Sequence, residues 1–183
     1  MKTQTIHIKN MICHRCIKSV KEDLTNIGLN VSSIKLGQAR IEKNADVTLQ
    51  QIKNILRADG FDVIESADEK LIEKIKHLII DLIQNNPHDL HDFNFTDYLS
   101  EKTKKPYRFL SSTFSIKKKM TIEHYIILVK IEKAKELLEY GEMNLSEIAN
   151  QLGYKTLQHL SSQFRAITGK SAAQYQKLKS KFI

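Results

Sequence analysis

Long apolar runs are missing from this 183-residue chain. No stretch approaches the roughly 18 apolar residues that cross a bilayer, so no spanning helix and no membrane partner is expected. "MKTQTIHIKN" has no apolar segment after its lysine, which argues against a signal peptide. Cysteine is scarce too: there are two, Cys13 and Cys16, three positions apart. They cannot close a useful long loop, and an intracellular chain would keep them reduced, so a disulfide scaffold is excluded and a cytoplasmic location expected. No cofactor motif and no catalytic constellation is present, so the chain does not read as an enzyme. What remains is a soluble composition, 41% hydrophobic and 27% charged, enough for one medium domain or two small ones.

The formal net charge is +8 and unevenly placed. Residues 84–183 carry 16 Lys and Arg against 10 Asp and Glu, and residues 1–66 carry 10 against 7. A basic C-terminal half suits a polyanionic partner, although many basic surfaces are only solvated.

Periodicity divides the chain in three. In residues 1–66, "TQTIHI" alternates as a half-buried strand, and Ile17, Val20, Leu24 and Ile27 recur at helical spacing up to Gly28. "LNVSSIKL" and "QARIEKN" read as two strands joined near Gly37, "TLQQIKNILRADG" as a helix with Leu49, Ile52 and Leu56 inward, and "FDVIE" as a last strand. The order βαββαβ is that of a ferredoxin-like domain. Residues 67–86 predict a connector helix. Along 67–84, Leu71, Ile75, Leu78 and Leu82 step like a coiled-coil seam, and Ile72, Ile79 and Ile83 widen it. Either this stripe packs on its own domains or it holds a homodimer, which two small domains with little surface to cover it would favour. "NNPHD" should then break the helix at Pro87.

Residues 87–183 read as all-helical and contain an internal repeat. At an offset of 50, Leu110, Ser111, Ser112, Phe114 and Tyr125 match Leu160, Ser161, Ser162, Phe164 and Tyr175. Thr96 and Ser146 are plausible N-caps, each followed by an acid, Asp97 or Glu147. Each unit predicts two helices with a short turn, and a long helix near 122–140 joins them. Pro106 sits where the first helical position of the second helix should be. In the second unit Ile148, small Ala149 and Leu152 share a face, Gly153 turns the chain, and Leu157 or Leu160 is buried with Phe164 and Ile167. Gln158, His159, Ser162 and Arg165 then point outward, which is helix-turn-helix logic.

These residues, "LSEIANQLGYKTLQHLSSQFRAITGKSAAQY", resemble the C-terminal signature of the AraC family of bacterial transcription regulators. The resemblance covers residues 94–178 and implies a double helix-turn-helix that binds double-stranded DNA, with RNA polymerase as a further partner. It departs at Ala172, where the family has proline, and at Gln176, where it has arginine. Carried over by position, it turns Arg108, Ser111 and Ser112 of the first recognition helix toward DNA, and Thr156, Gln158, His159, Ser161 and Ser162 of the second. Chemistry agrees for Arg108, which can be bidentate to guanine, and for Gln158, which can be bidentate to adenine. The serines serve bases or phosphates equally well.

The N-terminal half, with Met11, Cys13 and Cys16 after its first strand, resembles the heavy-metal-associated domain of copper chaperones and metal-transport ATPases. That resemblance implies a metal site on Cys13 and Cys16, with Met11 packed inside and Phe61 near the site. A helix N-terminus lowers thiolate pKa, and two thiolates suit Cu(I) or another thiophilic ion better than Zn²⁺. The departures are Asn10, where glycine is typical, and bulky Ile12. His14, between the cysteines, can ligate or face water. A redox dithiol and a site that has lost its ion are the alternatives. The resulting expectation is a DNA-binding transcription regulator responsive to a thiophilic metal. Its rival is a metal-trafficking or CxxC redox protein whose helical half docks a protein partner.

Overall fold

The computed structural model describes residues 3–42, 44, 46–85, 90 and 92–179. The chain divides into two units, Met1–His77 and Leu78–Ile183. No described helix is long and apolar enough to cross a membrane.

The first unit is β1 (Thr3–Lys9), α1 (His14–Asn26), β2 (Val31–Lys35), β3 (Gln38–Glu42), α2 (Leu49–Ala58), β4 (Asp62–Ile64) and the start of α3 (Ala67–Asn85). The sheet runs β2-β3-β1-β4 with every neighbouring pair antiparallel. Alternation puts Ile6 and Ile8 of β1 on the same face as Ala39 and Ile41 of β3, and these join Val20 and Leu24 of α1 and Ile52 and Leu56 of α2 in one core. Thr48 and Gln51 close a reciprocal capping box at the start of α2. Leu49, expected inward, is instead exposed: it is the first helical residue, at the end of the stripe that Ile52 and Leu56 bury.

Most of the seam is buried within the single chain, Leu78 being half-buried. Leu71, Ile72 and Ile75 in the first unit are buried, as are Ile79, Leu82 and Ile83 in the second. Burial of these residues within one chain fits packing inside the chain, the first of the two expectations for this stripe. The division between the units falls inside α3 rather than at its ends. The break expected at Pro87 lies outside the described residues.

The second unit continues with α4 (Phe95–Thr103), α5 (Tyr107–Lys118), α6 (Ile122–Tyr140), α7 (Leu145–Gln151), α8 (Leu157–Thr168) and α9 (Ala172–Lys179). The repeat is structural as well as sequential. The rings of Phe114 and Tyr125 lie 5.7 Å apart, and so do those of Phe164 and Tyr175. The caps also repeat, but not on the expected residues. Asn94 and Asn144 are the N-caps, their Oδ1 atoms accepting from the backbone N–H of Thr96 and Asp97 and of Ser146 and Glu147 at 3.0–3.2 Å. Asn precedes Thr96 and Ser146 by two positions, which lets one carbonyl oxygen satisfy two orphan donors. Pro106 is likewise the residue before the first helical position of α5. Ala172, in the place of the usual proline, begins α9 without difficulty. Ser171 Oγ accepts from Gln174 N (3.2 Å) while Gln174 Oε1 accepts from Ser171 N (2.9 Å), so a reciprocal cap fixes the helix start.

Helix α6 buries two different sides. Ile122, Ile126 and Val129 lie on one, and Ile131, Ala134 and Leu138 lie roughly opposite at 3.6 residues per turn. Tyr125, near its start, meets Phe114 of α5, and Glu139, near its end, accepts from Tyr175 of α9. One helix therefore braces both helix pairs, each from its own half.

Candidate nucleic-acid interface and cysteine loop

Helices α5 and α8 each bury a stripe and expose its complement. Leu110, Thr113 and Phe114 face inward on α5, and Leu160 and Phe164 on α8. Leu157 is exposed, which settles the choice between Leu157 and Leu160. Arg108 and Ser112 on α5 and Gln158, His159 and Ser162 on α8 are exposed, while Ser111 and Ser161 are half-buried at the edge of each polar face. The expected residues thus form two sets, one on each helix.

Two hydroxyls are already engaged. Thr156 caps α8, its Oγ1 accepting from His159 N at 3.2 Å, and Ser112 Oγ donates to the Phe109 carbonyl at 3.1 Å. Each keeps capacity for one further bond. His159 is held in place by a relay that sequence reasoning missed. Tyr154 Oη donates to Gln163 Oε1 (2.8 Å), which leaves the Gln163 amide nitrogen to donate to His159 Nε2 (3.0 Å). The free Nδ1–H of His159 is then a donor for a base or a phosphate. Exposed cations frame both helices: Lys104 and Lys105 precede α5, Lys117 and Lys119 end it, and Lys155, Arg165 and Lys170 surround α8. They match the phosphate-binding half of a DNA interface.

The turn between α7 and α8 depends on Gly153. Its φ is +67°, and a Cβ there would lie 2.1 Å from the Leu90 carbonyl oxygen. Gly153→Ala is expected to destabilise the protein by about 2–4 kcal/mol, combining left-handed strain with an immovable backbone neighbour. Urea denaturation measures it, and an unchanged midpoint would refute the packing described.

Lys130 of α6 was also missed, because nothing in its sequence neighbourhood marks it as half-buried. Its Nζ lies 5.2 Å from the Tyr154 ring centroid and 5.8 Å from that of Phe95, tying the turn of the second helix pair to the start of the first. Burial lowers its pKa to about 8. An unfolded lysine keeps its proton to about 10.4, so between these values the unfolded state binds more protons and stability rises with pH. The unfolding free energy should increase less between pH 8 and 10 in Lys130→Met than in the parent. Parallel curves for the two proteins would show that Lys130 is not the group responsible.

In the first unit the cysteine loop closes onto α1. Cys13 is the N-cap residue and exposed, Cys16 lies one turn on, and their sulfurs are 3.3 Å apart. The Cys16 backbone N–H, the Cys16 thiol, and the backbone and guanidinium of Arg15 hold the Cys13 thiol below its ordinary value, against a smaller desolvation. Met11 is fully buried, as expected, and Phe61 is part of the core. Asn10 explains its own departure: it adopts a left-handed φ of 69°, as the glycine would. Its Nδ2 donates to the Gly60 carbonyl at 2.9 Å, joining the loop to the turn before β4. Ile12 is 57% exposed and contributes nothing to that core. The side chain of His14 is outside those described.

A second tie was not anticipated. His77 of α3 donates from Nε2 to the Met11 carbonyl at 2.8 Å, since a carbonyl can only accept. Burial lowers the His77 pKa, against the hydrogen bond to Met11 and the charge of Glu73, which raise it. Gly37 makes room for the ring, because a Cβ there would lie 2.2 Å from His77 Cε1. Cys13 and Cys16 could hold a thiophilic ion by donor chemistry. Among the described residues no group of three or more His, Cys, Asp or Glu could complete a metal site, so Zn²⁺ would need ligands from elsewhere.

Comparison with known proteins bears on the second unit. Residues 99–178 match the helix-turn-helix domain family. "Histidine kinase P4" of Formosa agariphila is 26% identical over 113 residues, which are 62% of this chain but 8% of that protein. The chain therefore spans less than a tenth of that curated relative. Among solved structures, the C-terminal domain of AraT, a response regulator from Geobacillus stearothermophilus, superposes with a TM-score of 0.51 at 24% identity, covering 62% of this chain and 88% of its own. An AraC-type DNA-binding domain-containing regulator from Chromobacterium violaceum gives 0.50 at 15% identity, covering 58% and 93%. Residues 99–178 thus form a helix-turn-helix domain with the fold of an AraC-type DNA-binding domain.

Proposed function

We propose that the chain is a sequence-specific transcription regulator that binds double-stranded DNA through α5 and α8 and responds to a thiophilic metal on its cysteine loop. One observation carries the DNA reading: two helix pairs of the same construction, 50 residues apart, each present a polar helix framed by cations. A bundle that only docks a protein has no need of two such units. The metal reading is supported by a strand order compatible with a ferredoxin-like domain and by the lowered Cys13 thiol. Cys13 and Cys16 would hold the ion, most suitably Cu(I), a soft cation matched to soft thiolate donors. The hydrogen bond from His77 to Met11 then ties that loop to α3, the helix that continues into the second unit.

The test is a mobility shift of DNA from upstream of the gene, with and without Cu(I), across a salt series. A specific shift whose affinity falls steeply with salt is expected. Absence of any shift would favour the metal-trafficking or redox alternative.

A further inference from the structure

The two recognition helices differ at the position of Phe109 and His159, among others. Offset by 50, Arg108 corresponds to Gln158, Ser112 to Ser162, and Phe109 to His159. His159 is drawn onto its own domain, edge-on to Tyr154 at 5.4 Å and bonded to Gln163. Phe109 has no equivalent relay, since Lys104 and Thr113 stand where Tyr154 and Gln163 would be. It remains 44% exposed in the first turn of α5, with Lys105 Nζ 5.0 Å from its ring centroid. Its carbonyl accepts from Ser112 Oγ and its N–H donates to Pro106 O, so the backbone that carries the ring is fixed.

Position and charge say what such a ring meets. The first residues of a recognition helix are the ones that reach base edges. Arg108 beside it and Lys105 before it are cations suited to guanine and phosphate. Across the major groove, the apolar feature that distinguishes one base from the others is the C5-methyl of thymine. We infer that Phe109 packs on a thymine methyl in the groove occupied by α5, which makes the first half of the operator thymine-dependent through a contact the second half lacks. This inference rests on the DNA-binding reading above.

The full-length protein is used to select binding sites from a random duplex library, and each thymine of the selected site is then replaced in turn by deoxyuridine, which removes only the methyl. For the parent, one such replacement in the half-site read by α5 should weaken binding about fourfold, the worth of one methyl withdrawn from water. In Phe109→Ala the selected site should bind about fourfold more weakly and become indifferent to that replacement, a coupling that isolates the pair. Phe109→Leu, still apolar, should retain most of the dependence. The inference is overturned if the parent tolerates every deoxyuridine, or if the penalty persists undiminished in Phe109→Ala. A Phe109→Ala protein that binds DNA like the parent would leave Phe109 to a protein contact and would also overturn it. If the parent selects no sequence at all, the DNA reading itself fails.

Discussion

Exchanging Arg108 and Gln158 together for alanine is expected to weaken binding at the specific site by about 2–6 kcal/mol, the sum of two bidentate base contacts worth about 1–3 each. The two residues lie on different helices, α5 and α8, and share no hydrogen bond, so their effects should add. Both side chains are exposed, so fold stability should change little and a loss of binding is not a loss of structure. Affinity for a scrambled duplex should fall much less, because non-specific binding comes from phosphate contacts. Lys155→Ala provides the contrast. An exposed cation beside α8 should weaken both duplexes alike and reduce the salt slope by about 1. Anisotropy titrations on specific and scrambled duplexes separate the two behaviours. Unchanged specific affinity in the double variant would remove α5 and α8 from the role assigned to them.

How much of this was legible beforehand depended on how local the cause was. The helix from 122 to 140 is written in its own residues: a threonine cap, apolar residues at helical spacing, and a glycine after the end. The repeat at an offset of 50 was legible for the same reason, since Leu110, Phe114 and Tyr125 do the same work as Leu160, Phe164 and Tyr175. The caps were misplaced because Asn94 and Thr96, or Asn144 and Ser146, are all capable residues, and only backbone geometry selects among them. The stripe on α3 showed that a face is buried but could not say against what. Lys130, Gln163 and His77 were illegible for a different reason. Each takes its role from partners distant in sequence: Phe95 and Tyr154, Tyr154 and His159, and Met11. Asn10 was read as a departure from glycine, and the left-handed backbone shows that asparagine meets the same demand with an added hydrogen bond.

Replacing Cys13 and Cys16 together with serine is expected to abolish Cu(I) binding at one equivalent. The two sulfurs lie 3.3 Å apart, with Cys13 exposed and its thiol lowered by the groups at the start of α1, so the pair can present thiolates to an ion arriving from solvent. Serine keeps the size but not the soft donor, and Cys13 makes no side-chain cap that would be lost, so the fold should survive while the affinity does not. Whether occupancy reaches DNA is a separate matter, and His77 separates it. For the ion to change operator affinity tenfold, it must favour one arrangement of the protein by about 1.4 kcal/mol, and the loop can transmit such a preference to α3 through the bond from His77 to the Met11 carbonyl. His77→Ala should therefore keep one equivalent of Cu(I) and lose most of the metal-dependent change in the gel shift, whereas the double cysteine variant loses both. Binding of one equivalent by the double cysteine variant would place the site elsewhere. A parent that binds Cu(I) yet shifts DNA identically with and without it would end the regulatory reading and leave the DNA-binding one standing.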